Sequence, residues 1–199
     1  MDDKTILFSI LLGVLSAPIS FIKKPRFFWG SAGFDPISFF WMISFFLFGP
    51  LGALKSSFIG SISTFFFSRE KTPLLGAVLK FTGTLTVWLT FYYMLRISPD
   101  MFCSALYFKE IAIIAPFLIL AAIVRCIVEI PACFFAIPYF LSKITEKTVS
   151  SHMMVEKFGG TTKFFLTMIG LNFWLTFLDV VIPWVIVYPT GLYDKFAIW

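Results

Sequence analysis

Six apolar runs, separated by short segments that hold most of the charge, constrain this chain more than any other feature. They cover residues 6–22, 34–48, 51–67, 74–95, 111–141 and 164–188. A helix rises about 1.5 Å per residue and the hydrocarbon core of a bilayer is about 30 Å thick, so about 20 apolar residues make one span. The second and third runs are short; the fifth is long and carries Pro116, Pro131 and Pro138. Hydrophobic residues fill 59% of the 199 positions and charged residues 14%, against about 45–50% and about 25% in a soluble domain. Continuous runs exclude the alternating pattern of a membrane barrel. The first run is preceded by Asp2, Asp3 and Lys4 rather than by a basic leader, so it reads as a helix and not as a signal sequence. The expected fold is therefore an all-α integral membrane protein of the cell membrane. It is a compact bundle of six transmembrane helices forming one domain over residues 1–199.

Within that frame, "FFLFGPLGALKSSFIGSIS" at 45–63 stops and restarts at Gly49-Pro50. Proline lacks the helical donor and disfavours helical geometry in the residue before it, which predicts a short hairpin between the second and third helices. Lys55 lies five residues beyond Pro50, close enough to an interface to extend its ammonium into water. Small residues recur every four positions on the first run (Ser9, Gly13, Ala17), and a comparable stripe runs along the third (Gly52, Ser56, Gly60, Ser63). Such stripes let helix backbones approach closely, either inside the chain or against a partner. Pro18 is expected to bend or end the first helix.

Polar groups inside the later runs are the candidates for function. Lys80 lies near the start of the fourth. Arg125 and Glu129 are four apart on the fifth and share a face, as do Asn172 and Asp179, seven apart on the sixth. A charge at the bilayer centre costs about 2.5–3.5 kcal/mol on insertion scales, so such groups face one another or a cavity. Two readings stand: a stabilising Arg125–Glu129 pair, or a polar cavity that admits a hydrophilic ligand. Trp88, Tyr92, Tyr93, Trp174 and Trp184 are possible stacking partners or membrane-surface anchors. Catalysis has little support. His152 is the sole histidine, "FGGTTK" at 158–163 lacks phosphate-loop spacing, and Cys103, Cys126 and Cys133 have no metal-binding or disulfide spacing. No catalytic, metal or cofactor residue is assigned.

The order of these features resembles a substrate-binding S component of an energy-coupling factor (ECF) vitamin transporter. The stretches that carry the likeness are "FDPISFFWMISFFLFGPLGALKSSFIGSIS" (34–63), "RCIVEIPACFFAIPYF" (125–140) and "LNFWLTFLDVVIPWVIVYPTGLY" (171–193). The Phe-Gly-Pro hairpin is similar to that of the riboflavin-binding subfamily. The resemblance implies a six-helix subunit that captures a water-soluble vitamin, riboflavin favoured, and tilts in the membrane against a transmembrane coupling subunit driven by two ATPase subunits. It places the vitamin near Lys80, Arg125, Glu129, Asn172 and Asp179, and the coupling contact at Gly13 and Ala17 with Ser9 extending the line. Where many relatives carry a charged or amide residue beyond the hairpin, this chain has Ser57, Gly60 and Ser61. Outside the resemblance, two other classes fit. One is a lipid-modifying enzyme using Glu129 and Asp179 with a metal; the other is a non-transporting scaffold whose buried charges are structural.

Loop charge bears on orientation. Lys23, Lys24, Arg26, Arg69, Lys71, Lys143, Lys147, Lys157 and Lys163 fall in the first, third and fifth loops; Lys4, Arg96, Lys109 and Lys195 fall on the other side. The positive-inside rule puts the odd loops in the cytoplasm, whereas the family has both termini there. Attraction of an anionic ligand is another reason for basic outer loops.

Overall fold

The structure is a computed structural model that describes residues 3–20, 26–27, 31–32, 36–67, 73–97, 105–145 and 148–199. Helix α1 (Asp3–Val14) and the short α2 (Ser16–Ser20) are followed by a two-residue antiparallel pair, β1 (Arg26–Phe27) and β2 (Ser31–Ala32). Then come α3 (Ile37–Phe67), α4 (Pro73–Ile97), a 3-10 turn (Ala105–Lys109), α5 (Ile111–Thr145), α6 (Ser151–Lys157), α7 (Thr161–Val187) and α8 (Leu192–Phe196). Four of these, α3, α4, α5 and α7, are long and apolar enough to cross a membrane. That is the composition of a multi-pass membrane protein. Cys103 and the basic side chains at 23, 24, 26, 69, 71 and 147 lie outside the described residues, as do the far end of the first run and the start of the second.

Helix α3 is the most enclosed, with α1, α4 and α7 packed on it. Its helical path breaks at Gly49 (φ 74°, ψ −168°), a left-handed conformation that favours glycine. Eight residues of straight helix measure about 12 Å, yet a Cβ on Gly52 would come within 3.2 Å of the Ser44 carbonyl oxygen. Gly60 likewise lies against the Trp41 indole, nineteen residues earlier. The path of α3 therefore turns at Gly49, bringing Gly52 beside Ser44 and Gly60 beside Trp41. Trp41, fully buried, donates from Nε1 to Ser16 Oγ at 2.8 Å, tying α2 to the same seam.

The break leaves carbonyl groups to satisfy. In an unbroken helix Phe46 O would accept from residue 50, but Pro50 has no N–H. The Trp199 indole supplies the donor instead, at 3.3 Å, and Ile198 N donates to Leu47 O at 3.0 Å. The Trp199 ring covers Gly49 and meets Phe45 edge-on, with centroids 5.2 Å apart. A parallel case occurs in α5. Pro138 leaves Phe134 O without its helical donor, and Ser151 Oγ donates there at 2.8 Å. Side chains thus restore the backbone bonds that prolines remove inside an apolar medium. Trp199→Ala is expected to lower thermal stability by about 1–3 kcal/mol, the cost of an orphaned buried acceptor together with lost ring packing. Trp199→Phe should recover only the packing part. Unfolding temperatures of the two variants in detergent, indistinguishable from the parent, would contradict the stitch.

Around this end gathers an aromatic core. Phe46 lies 6.3 Å from Phe91, 6.0 Å from Phe108 and 5.6 Å from Tyr188, all ring-edge contacts. The 3-10 turn is clamped to α7 by Tyr188 Oη on Ala105 O at 2.7 Å and by Trp184 Nε1 on Phe108 O.

Helix α1 ends earlier than expected. The chain turns at Leu15, three residues before Pro18, because the proline ring crowds the carbonyl of Val14 four residues back. Ser9, Gly13 and Ala17 are buried against α3: a Cβ on Gly13 would sit 2.7 Å from Ser56 O and 3.1 Å from Ile59 Cβ. The small-residue stripe expected at a coupling subunit is occupied within the chain. Leu7, Phe8, Leu11, Val14 and Leu15 make the outward face of α1 instead.

A buried ionic cluster as candidate functional site

Among helices α3, α4, α5 and α7, polar side chains meet away from the aromatic core. Asp179 of α7 is 1% exposed and is the hub. Its Oδ2 accepts from Arg125 Nη1 at 2.8 Å; its Oδ1 accepts the Ser38 hydroxyl hydrogen and lies 3.8 Å from Lys80 Nζ. Arg125, also 1% exposed, approaches Glu129 Oε2 through Nε at 3.5 Å, one turn along α5. This Nε contact is an ion pair without hydrogen-bond geometry: Arg125 Nε has no hydrogen-bond partner among the described residues. Four charged groups from three helices therefore balance as two cations and two anions among the described residues. In a low-dielectric interior such pairing offsets the cost of burying each charge, and each partner becomes essential to the others.

Close approach of α4 to α5 makes the cluster possible. Gly83, three residues after Lys80, has no side chain, and the space a Cβ would take is filled by Glu129 Oε1, with Arg125 Nε 3.0 Å from it. Any larger residue there must displace the carboxylate. The arrangement can hold charge in an apolar interior.

Of the five residues expected at a ligand site, Lys80, Arg125, Glu129 and Asp179 come together. Asn172 stays apart: its Nδ2 donates to Met168 O on its own helix at 2.9 Å, and its buried Oδ1 has no hydrogen-bond partner among the described residues. Thr84 Oγ1 and Trp88 Nε1, one and two turns beyond Lys80 on α4, share this lack, as does Thr176 Oγ1 near Asp179 on α7. Buried polar atoms of this kind usually bond to ordered water or a ligand.

Aromatic stacking partners do not line the cluster as a set. Trp88 is buried and stacks on Phe45 at 6.3 Å. Tyr93 and Trp174 point outward, Trp184 clamps the 3-10 turn, and Tyr92 lies under Arg96, whose Cζ is 5.4 Å from the ring centroid. Half-buried Lys55 is remote in sequence from every member of the cluster. Among the described residues, no group of three or more His, Cys, Asp or Glu side chains could hold a metal ion.

No family model, no curated protein and no solved structure matches the chain.

Ser38 and Gly83 were missed by sequence reasoning. Gly83 had a signal, since it follows Lys80 by three positions and so shares its helix face. Ser38 had none, because its contact with Asp179 spans 141 positions.

Proposed function

We propose that the chain is the membrane-embedded capture subunit of an ECF-type vitamin importer, holding a water-soluble vitamin among α4, α5 and α7. In this reading α1 with α2, the two halves of α3, α4, α5 and α7 are six membrane-crossing segments. Gly49-Pro50 is then the hairpin between the second and third. The single observation that supports it is the meeting of Lys80, Arg125, Glu129 and Asp179 inside an apolar bundle. Polar atoms of Thr84, Trp88, Asn172 and Thr176 that have no hydrogen-bond partner among the described residues lie on the same helices. Helices that only pack on one another have no need of so many charges and unmet donors; a polar guest would use both. Riboflavin is the favoured vitamin on the Phe-Gly-Pro sequence. Delivery would come from a coupling subunit and ATPases, through tight binding in one tilt of the subunit and weak binding in another.

The test is native mass spectrometry of gently purified protein, followed by saturable binding to a vitamin panel headed by riboflavin. Asn172→Ala is the informative variant, because among the described residues Asn172 bonds its own helix and its loss leaves the ion pairs in place. Its removal should weaken binding about tenfold or more, the worth of one buried hydrogen bond. Protein that carries no vitamin and binds none would refute the proposal. Unchanged affinity in Asn172→Ala would clear that residue.

A second reading, a non-transporting membrane scaffold, is favoured by one observation: the charges already pair with one another, Arg125 with Asp179 at 2.8 Å. It predicts a co-purifying partner protein and no small molecule.

A further inference from the structure

A threonine in an apolar helix commonly turns its hydroxyl back onto a carbonyl of its own helix. Thr64, Thr86 and Thr90 do so, each at 2.7 Å. Thr84 of α4 and Thr176 of α7 do not. Both are fully buried, and neither Oγ1 has a hydrogen-bond partner among the described residues. Two tryptophans show the same contrast. Trp41 and Trp88 are both buried, yet Trp41 Nε1 donates to Ser16 Oγ at 2.8 Å while Trp88 Nε1 has no partner among the described residues.

These groups flank the ionic cluster. Helices α4 and α7 each pack on α3 and on α5, so they face one another across the middle of a four-helix ring. Lys80 and Asp179 meet there at 3.8 Å. Thr84 and Trp88 follow Lys80 by one and two turns, and Thr176 precedes Asp179 by three positions, so each lies on the face of its cluster neighbour. Pro183 adds an acceptor. Having no N–H, it takes from Asp179 O the helical donor four residues on. Trp199 and Ser151 make good the equivalent loss at Phe46 and Phe134, whereas Thr84, Thr176 and Trp88 donate nothing to Asp179 O.

We propose that this interior binds ordered water, held by Thr84, Trp88, Thr176 and the main-chain oxygen of Asp179. Leaving a buried donor or acceptor unmet is costly. Water removes that cost where about two to four polar partners surround it, and a cavity lined only by apolar groups stays dry. The indole donates, the carbonyl accepts and the two hydroxyls do either, a set that suits a molecule able to donate and accept at once. No vitamin need be the cargo, so this hydration and the proposed function fail separately.

Pulsed X-ray radiolysis of the protein in lipid turns water into hydroxyl radical where the water sits, and mass spectrometry then reads which tryptophan gains oxygen. Trp88 should be oxidised several-fold faster than Trp41, and a radical scavenger confined to the bulk solvent should leave that labelling in place. Thr84→Val, close in shape, should cut it several-fold with Trp41 unchanged. Three results overturn the proposal: Trp88 as inert as Trp41, quenching of Trp88 by the bulk scavenger, or undiminished labelling in Thr84→Val. Should Thr84→Val fail to fold, the first two comparisons on the parent protein decide alone.

Discussion

Asp179→Ala is expected to cost about 3–5 kcal/mol, because it takes from two buried cations the carboxylate they share. Arg125 would lose its one bond of 2.8 Å, and Lys80 its 3.8 Å partner. Glu129 cannot replace it without leaving the pocket at Gly83. Asp179→Asn should cost less, since the amide oxygen still accepts from Ser38 and Arg125 while the charge is lost. A charge-balanced double change, Asp179→Asn with Arg125→Gln, should recover part of the loss, since no lone charge then stays buried. Unfolding temperatures of the parent, Asp179→Asn, Arg125→Gln and the double variant in one detergent form a double-mutant cycle. Simple additivity between the two positions would mean the ion pair contributes nothing.

The second large effect is expected at Gly13. Even a methyl group there would stand 2.7 Å from a backbone carbonyl, Ser56 O, which cannot swing away as a side-chain tip could. Gly13→Leu should push α1 off α3 at a cost of about 1–3 kcal/mol or more. The same change at Gly170, where a Cβ meets nothing within 4 Å, is the internal control. Limited proteolysis near residue 15 should accelerate in the first variant and stay at the parent rate in the second. Equal behaviour of the two would mean α1 does not rest on α3.

That contrast between two glycines also marks how far the sequence could be read. Helix and membrane were written in the apolar runs. The break at Gly49-Pro50 was written in a dipeptide whose backbone chemistry is local. The Arg125–Glu129 neighbourhood followed from four-residue spacing. Asp179 joining Arg125 did not, because it depends on the register between α5 and α7, which no single helix encodes. Small residues at Ser9, Gly13 and Ala17 announced a close approach without naming what approaches, and α3 took the place proposed for a partner. Lys80 and Asn172 looked alike as buried polar residues. Only three-dimensional packing separated the one that joins an ion pair from the one that bonds its own helix. Pro18 was correctly seen as a helix breaker, but its ring acts four residues upstream, which moved the end of α1 to Val14.

Phe46 waits 153 positions along the chain for the indole that completes its carbonyl. During synthesis every helix from α3 to α7 leaves the ribosome before Trp199 does. The kinked helix must therefore enter the bilayer with an unfinished backbone, sheltered by water or by the insertion machinery, and the aromatic end of the bundle can lock only after translation has passed residue 199. A chain without residue 199 would carry all its long helices and still leave the Phe46 carbonyl open.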